Sequence, residues 1–159
     1  MIGSLLMSDY DVDIYAWSQR QGALLRRLAA GERVNDADVD WPNIAEEIET
    51  VGRSERAAVR SLITSIIEHL IKLEASPATE PRAGWRETVG RARVEIEQLL
   101  RDSPSLRPQI PTLVAEALPK ARRFAEMALE LHGEIPLVDL KSVTYTQDQV
   151  LGEWFPGAP

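Results

Sequence analysis

Glu46, Glu47 and Glu49 form the densest carboxylate cluster in the chain. Side chains at i and i+3 share a helix face, so such a run could turn two oxygens toward one hard cation such as Mg²⁺. A metal held there would suit a hydrolase of a phosphorylated small molecule or nucleotide, with His69 and Glu47 as its proton-moving groups. A simpler reading accounts for the same residues. At about 100° per residue from Ile44, only Glu47 lies beside the apolar stripe. Glu49 is spaced to pair with Arg53 at i+4, Glu46 faces solvent, and the run helps the helix start. A paired-motif nucleotide pyrophosphatase would also need a second Glu-x-x-Glu or Glu-x-x-Asp, and Glu95-Ile96-Glu97-Gln98 does not supply it.

His69 and Glu55 fall within the apolar stripe of the same helix and require partners there. Fourteen residues of helix separate them by roughly 21 Å, so they cannot share one ion. If the first helix packs antiparallel, its Tyr10, Tyr15 or Gln21 reaches one of them. A lone core histidine is read as a hydrogen-bonded structural residue, with a pocket role as its alternative. His132, in the last turn of its helix, is read as a partner of the helix dipole. A ferritin-like di-metal centre is excluded, because no Glu-x-x-His occurs. A phosphate loop, a nucleophile elbow and His-Glu-x-x-His are equally missing. No cofactor is expected, divalent metal being the alternative.

The remaining chemistry belongs to recognition. Arg53, Arg56 and Arg60, then Arg82, Arg86, Arg91 and Arg93, then Lys120, Arg122 and Arg123 are basic clusters interleaved with Glu55, Glu87, Glu95 and Glu126. Most read as helix-surface pairs, and the alternative is a face for an acidic partner. Trp17 and Trp85 read as core residues that could also line a binding site. Trp41 and Trp154 cap the bundle or touch a partner.

The 159 residues carry 18 Lys+Arg against 25 Asp+Glu, no Cys and a net charge of −7. Residues 1–51 hold 4 basic and 10 acidic side chains, residues 52–101 hold 9 and 7, and residues 102–159 hold 5 and 8. An acidic chain is a poor ligand for free nucleic acid, so that partner is not expected, whereas a local basic face could dock an acidic protein or a second copy. Zero Cys excludes thiol catalysis, disulfides and iron–sulfur ligation. Neither a signal peptide nor a membrane span is apparent, so the expected location is the cytoplasm and no membrane is involved. Residues 1–8 are expected to be disordered, Met7 is a second candidate start, and 9–159 reads as a single domain.

Four helical stripes must position these groups. Tyr10, Ile14, Trp17, Gln21, Leu24, Leu25 and Leu28 form the first, closed by Gly31. Asp40 caps the second, which opens at Pro42 and runs through Ile44, Ile48, Val51, Ala58, Leu62, Ile66, Leu70 and Leu73. Gly52 admits a bend or break in it. Ile63, Ile67 and Ile71 widen the apolar face until this helix must be the bundle's centre. Trp85, Val89, Ala92, Ile96, Leu99 and Leu100 mark the third, ended by Asp102, with Ser103 offered as a cap for the next turn. Ile110, Leu113, Val114, Ala117, Ala121, Phe124, Ala125 and Ala128 mark the fourth, with a kink or restart predicted near Leu118 before Pro119 and a stop at Gly133. A capping box at Thr146 and Gln149 opens a short helix bearing Val150, Leu151, Trp154 and Phe155. The fold class is all-α, a bundle of four main helices with a short C-terminal helix packed on it.

Several separated strings then become informative together: Tyr15-Ala16-Trp17 with Gln21, Ala45-Glu46-Glu47-Ile48-Glu49 with Gly52-Arg53-Ser54, and His69-Leu70-Ile71-Lys72. Further on stand Trp85-Arg86-Glu87-Thr88, Asp102-Ser103-Pro104-Ser105-Leu106, Ala121-Arg122, Tyr145-Thr146 and Trp154-Phe155-Pro156. In that order the chain resembles the bacterial family known as "domain of unknown function 29", over about residues 10–156. The resemblance implies a small helical bacterial protein without an assigned biochemical role. The family often has Leu where Ile71 stands, an aromatic near Pro119, and Cys-Pro where Val143-Thr144 precede Tyr145. A site dependent on that Cys would be absent here. The reading as a whole is a non-enzymatic interaction or accessory protein with a protein partner or self-association, the metal-dependent hydrolase being the alternative.

Overall fold

The computed structural model describes residues 8–157. The helices are α1 (Asp9–Val12), α2 (Ile14–Ala29), α3 (Trp41–Ala75), α4 (Arg82–Asp102), α5 (Ile110–Leu131) and α6 (Gln147–Leu151), with 3₁₀ turns at Asp36–Asp38 and Pro104–Gln109. The fold is all-α, as the periodicity predicts: four long helices, α2 to α5, and a short α6, with no strand among the described residues. None of these helices is long and apolar enough to cross a membrane. Two compact units divide the chain, one up to Gly52 and one from Arg53 onward.

In the first unit the predicted opening helix is two helices. Asp13 leaves helical geometry at φ −153° and its carboxylate accepts the Ala16 N–H at 2.9 Å, so it caps α2 instead of continuing α1. A short acid competes well for backbone donors at a helix start and poorly inside one, which is why the helix divides there. Of the expected disordered segment 1–8, residues 1–7 lie outside the described residues, and Ser8 forms a capping box with Asp11. Trp17, Val39 and Ile44 are the buried core of this unit, with Tyr10, Leu24, Leu25 and Leu28 packed against them. Ile48 and Val51, read as continuing the stripe, are instead exposed.

α3 runs unbroken through Gly52, so the break considered there does not occur. One glycine costs about 1 kcal/mol against Ala, too little to interrupt a cooperative helix of 35 residues. Asp40 caps it as predicted, its side chain accepting the Asn43 N–H at 3.4 Å and its carbonyl the Ile44 N–H at 3.0 Å.

In the second unit Ile63, Ile66, Ile67, Leu70, Ile71 and Leu73 of α3 are fully buried, so this stretch is the centre of its bundle as its nearly all-round apolarity requires. Ala58, placed in that stripe from sequence, is exposed, and its neighbour Val59 is buried in its stead. Val89, Ala92, Ile96 and Leu100 of α4 and Ala117, Ala121, Ala125 and Leu129 of α5 close on this centre, with Val150 of α6 in the same core. α3 and α5 run parallel: Arg56 bonds Gln109 at the start of α5, and Ser76 past the end of α3 bonds Glu134 past the end of α5.

The restart predicted at Pro119 is also absent, α5 being continuous. Proline deprives the Ala115 carbonyl of its donor, but Ala115 and Pro119 both face solvent, where water satisfies that group and a methyl offers little to clash with. α2 and α5 end alike at Gly31 and Gly133, with φ of +79° and +65°. In each, two tightly wound bonds return to the last turn: Gly31 to Leu28 and Glu32 to Arg27, Gly133 to Glu130 and Glu134 to Leu129. Ser103 occupies its cap position without a side-chain bond. The Thr146–Gln149 capping box forms as predicted, but α6 stops at Leu151, so Trp154 and Phe155 lie beyond the helix and not along it.

Candidate functional site

Tyr10 and Trp17, one α-helical connection apart, meet edge to face with ring centroids 4.9 Å apart. The Trp17 indole donates to the Asp40 carboxylate at 2.9 Å, and the Asn43 amide donates to the same oxygen at 2.8 Å. The Asn43 amide foremost, and then the Trp17 indole, hold the Asp40 carboxyl below the ordinary carboxylate range. Gln21 clamps the intervening loop, donating to the Asp38 carbonyl at 3.1 Å and accepting the Asp40 N–H at 2.9 Å. The Tyr10 hydroxyl donates to Glu47, whose carboxylate pushes the phenol up.

This assembly decides the fate of the acidic cluster. Glu47, the one carboxylate beside the apolar stripe, is occupied by Tyr10, while Glu46, Glu49 and Arg53 have interactions of their own. No three His, Cys, Asp or Glu side chains are grouped to hold a metal ion among the described residues. The partners of Gln21 and Tyr10 in this unit are Asp38, Asp40 and Glu47, and Tyr15 is exposed.

In the second unit His69 is half-buried and its Nδ1 bonds the Ser65 carbonyl of its own helix at 2.8 Å. Burial lowers its pKa, the neighbouring Lys72 adds to this, and the Ser65 carbonyl and Glu68 oppose it. Lys72 pairs with Glu68 at 3.0 Å and lies over the Trp85 ring, 5.5 Å from its centroid. Trp85 is half-buried against the core. His132 is the exposed residue that closes α5.

Three contacts of this unit had no sequence signal. Arg93 donates to the carbonyls of Gln149, Val150 and Trp154 at 2.7–2.9 Å, and with Arg86 it brackets the Phe155 ring at 4.7 and 4.9 Å. The buried Tyr145 hydroxyl donates to Glu74 at 2.6 Å, and burial followed by that carboxylate holds it far above the ordinary phenol range. Arg122 donates to the Val143 carbonyl. Each joins a long helix to the C-terminal stretch or its short helix more than twenty positions away, which periodicity does not report.

Within each unit these contacts involve residues of the strings quoted above, Trp17, Gln21 and Glu47 in the first and Tyr145 and Trp154-Phe155 in the second, and the model of the family described as "Domain of unknown function DUF29" matches residues 10–155. The chain belongs to DUF29. No curated protein and no solved structure matches it. In this DUF29 chain the recognisable strings are largely those that fasten loops and tail to helices.

A groove of about 670 Å³ lies beside α4, lined by Arg93, Val94, Leu100, Arg107, Leu151 and Phe155 among others. Two of its polar groups are engaged in structure: Arg93 is bound to three carbonyls, and Glu97 pairs with Arg101 at 3.1 Å. Neither a nucleophile–base pair nor a histidine lines it. A more distinctive surface lies on α5. Its buried line runs through Ile110, Leu113, Ala117, Ala121, Ala125 and Leu129, while three further large apolar side chains, Phe124, Met127 and Leu131, are 40%, 53% and 82% exposed. Spaced i, i+3 and i+7, they form one outward stripe. The sequence reading placed Phe124 with the core and missed Met127 and Leu131.

Proposed function

We propose that this DUF29 protein is a non-enzymatic interaction or accessory protein of the bacterial cytoplasm, acting through the outward face of α5. The observation that carries this reading is the stripe of Phe124, Met127 and Leu131, which a folded chain gains nothing by exposing on its own account. Burying three such side chains against a partner removes apolar area from water at about 25 cal/mol per Å². The hydrolase alternative loses support because Glu47 and His69, its two proton-moving groups, are bonded to Tyr10 and to the Ser65 carbonyl.

The test is native mass spectrometry of the protein taken gently from its own cells. The wild type is expected in an assembly, with a partner protein or a second copy. The double variant Met127→Glu/Leu131→Glu is expected as a folded monomer with an unchanged melting temperature. A wild type that emerges as a bare monomer contradicts the reading, and one divalent ion per chain or a retained phosphorylated compound returns the hydrolase.

A further inference from the structure

The α5 stripe does not stand in neutral surroundings. Lys120 precedes Phe124 by one turn and lies over its ring at 5.4 Å, and Arg123 is the residue before it. Along the neighbouring α3, Arg56 and Arg60 share one carboxylate, Glu116, at 2.8 and 3.5 Å. Arg60, Glu116 and Lys120 also line one hollow of about 310 Å³ between the two helices. Arg56, Arg60, Lys120 and Arg123 therefore stand with Glu116 at the head of the apolar stripe, on a chain whose net charge is −7. Arg56 holds the Glu116 carboxyl below its ordinary range, so that anion stays ionised and spent on its two arginines.

Resting on the interaction reading above, we infer that the α5 face binds an acidic amphipathic segment of a partner protein, its apolar side chains on Phe124, Met127 and Leu131 and its carboxylates toward Lys120 and Arg123. An overall acidic protein repels acidic partners at long range, so a basic patch on it selects approach to that face. Duplex nucleic acid fits less well, because a stripe of Met and Leu offers phosphate nothing.

The full-length protein is titrated with three labelled probes: a synthetic amphipathic helix of Leu and Glu, its counterpart of Leu and Lys, and duplex DNA. The Leu/Glu peptide is expected to bind, at least about tenfold more tightly than the Leu/Lys peptide and with an affinity that falls as salt rises. Lys120→Glu/Arg123→Glu is expected to weaken it by about tenfold or more, and Leu131→Glu to weaken it as well, both variants melting with the wild type. Equal or tighter binding of the Leu/Lys peptide or of DNA overturns the inference, as does binding indifferent to the charge reversal. A concentration-dependent dimer lost in Leu131→Glu, with no binding of the Leu/Glu peptide, also overturns it in favour of a second copy while leaving the interaction reading standing.

Discussion

Trp17 is at once a core side chain and a hydrogen-bond donor, and its two roles can be separated. Trp17→Phe keeps most of the ring and removes the donor to Asp40, so urea unfolding is expected to show a loss of about 1–2 kcal/mol. Because the folded Asp40 carboxyl titrates below its unfolded value of about 3.9, its contribution is complete above that value and disappears as pH falls through the folded one. Trp17→Phe should flatten that acid limb. His69 shifts in the same direction with a different origin: burial lowers a base, so below about 6.5 the unfolded chain holds more protons than the folded one. Stability is then full above that pH and declines below it, and urea midpoints of His69→Gln measured on either side should show the decline reduced. That Trp17 and His69 lie within apolar stripes was readable from their spacing. Their partners were not equally so, because Asp40 comes from an irregular loop, while Ser65 is simply one turn back.

At the scale of elements, two glycines predict opposite outcomes. Gly52 lies inside α3 with nothing within 4 Å of where a Cβ would stand, so Gly52→Ala is expected to raise stability by about 1 kcal/mol in thermal or urea unfolding. At Gly152 an added Cβ would come within 2.5 Å of the Asp148 carbonyl oxygen, so Gly152→Ala should cost about 2 kcal/mol or more by the same measurement. The helices themselves were legible in the sequence through spacing, caps and end glycines. What spacing overstated were the breakers: Gly52 and Pro119 sit where cooperativity and solvent absorb their cost. What it could not resolve was direction, because Phe124 lies next to the core line in α5 while its side chain is 40% exposed. The tail beyond Leu151 was placed by Arg93, and Arg93→Met should free it at a cost of about 2–4 kcal/mol, seen as faster amide exchange across residues 149–156.

For the whole molecule the governing contrast is between an acidic chain and one basic, apolar helix face. Elsewhere several surface charges pair locally: Arg91 with Glu87 at 2.7 Å, Arg101 with Glu97 at 3.1 Å and Arg27 with Glu32 at 2.8 Å, each contributing little. Along α5, Lys120 and Arg123 adjoin the exposed Phe124, Met127 and Leu131. Site-specific photo-crosslinking in the native cells tests this most directly, with the reactive group placed at position 131 on α5 and, for comparison, at position 91 on α4. A discrete adduct at position 131, missing at position 91 and lost with Lys120→Glu/Arg123→Glu, is the expected result. The same diffuse products at both positions, or none at position 131, would contradict a functional α5 face.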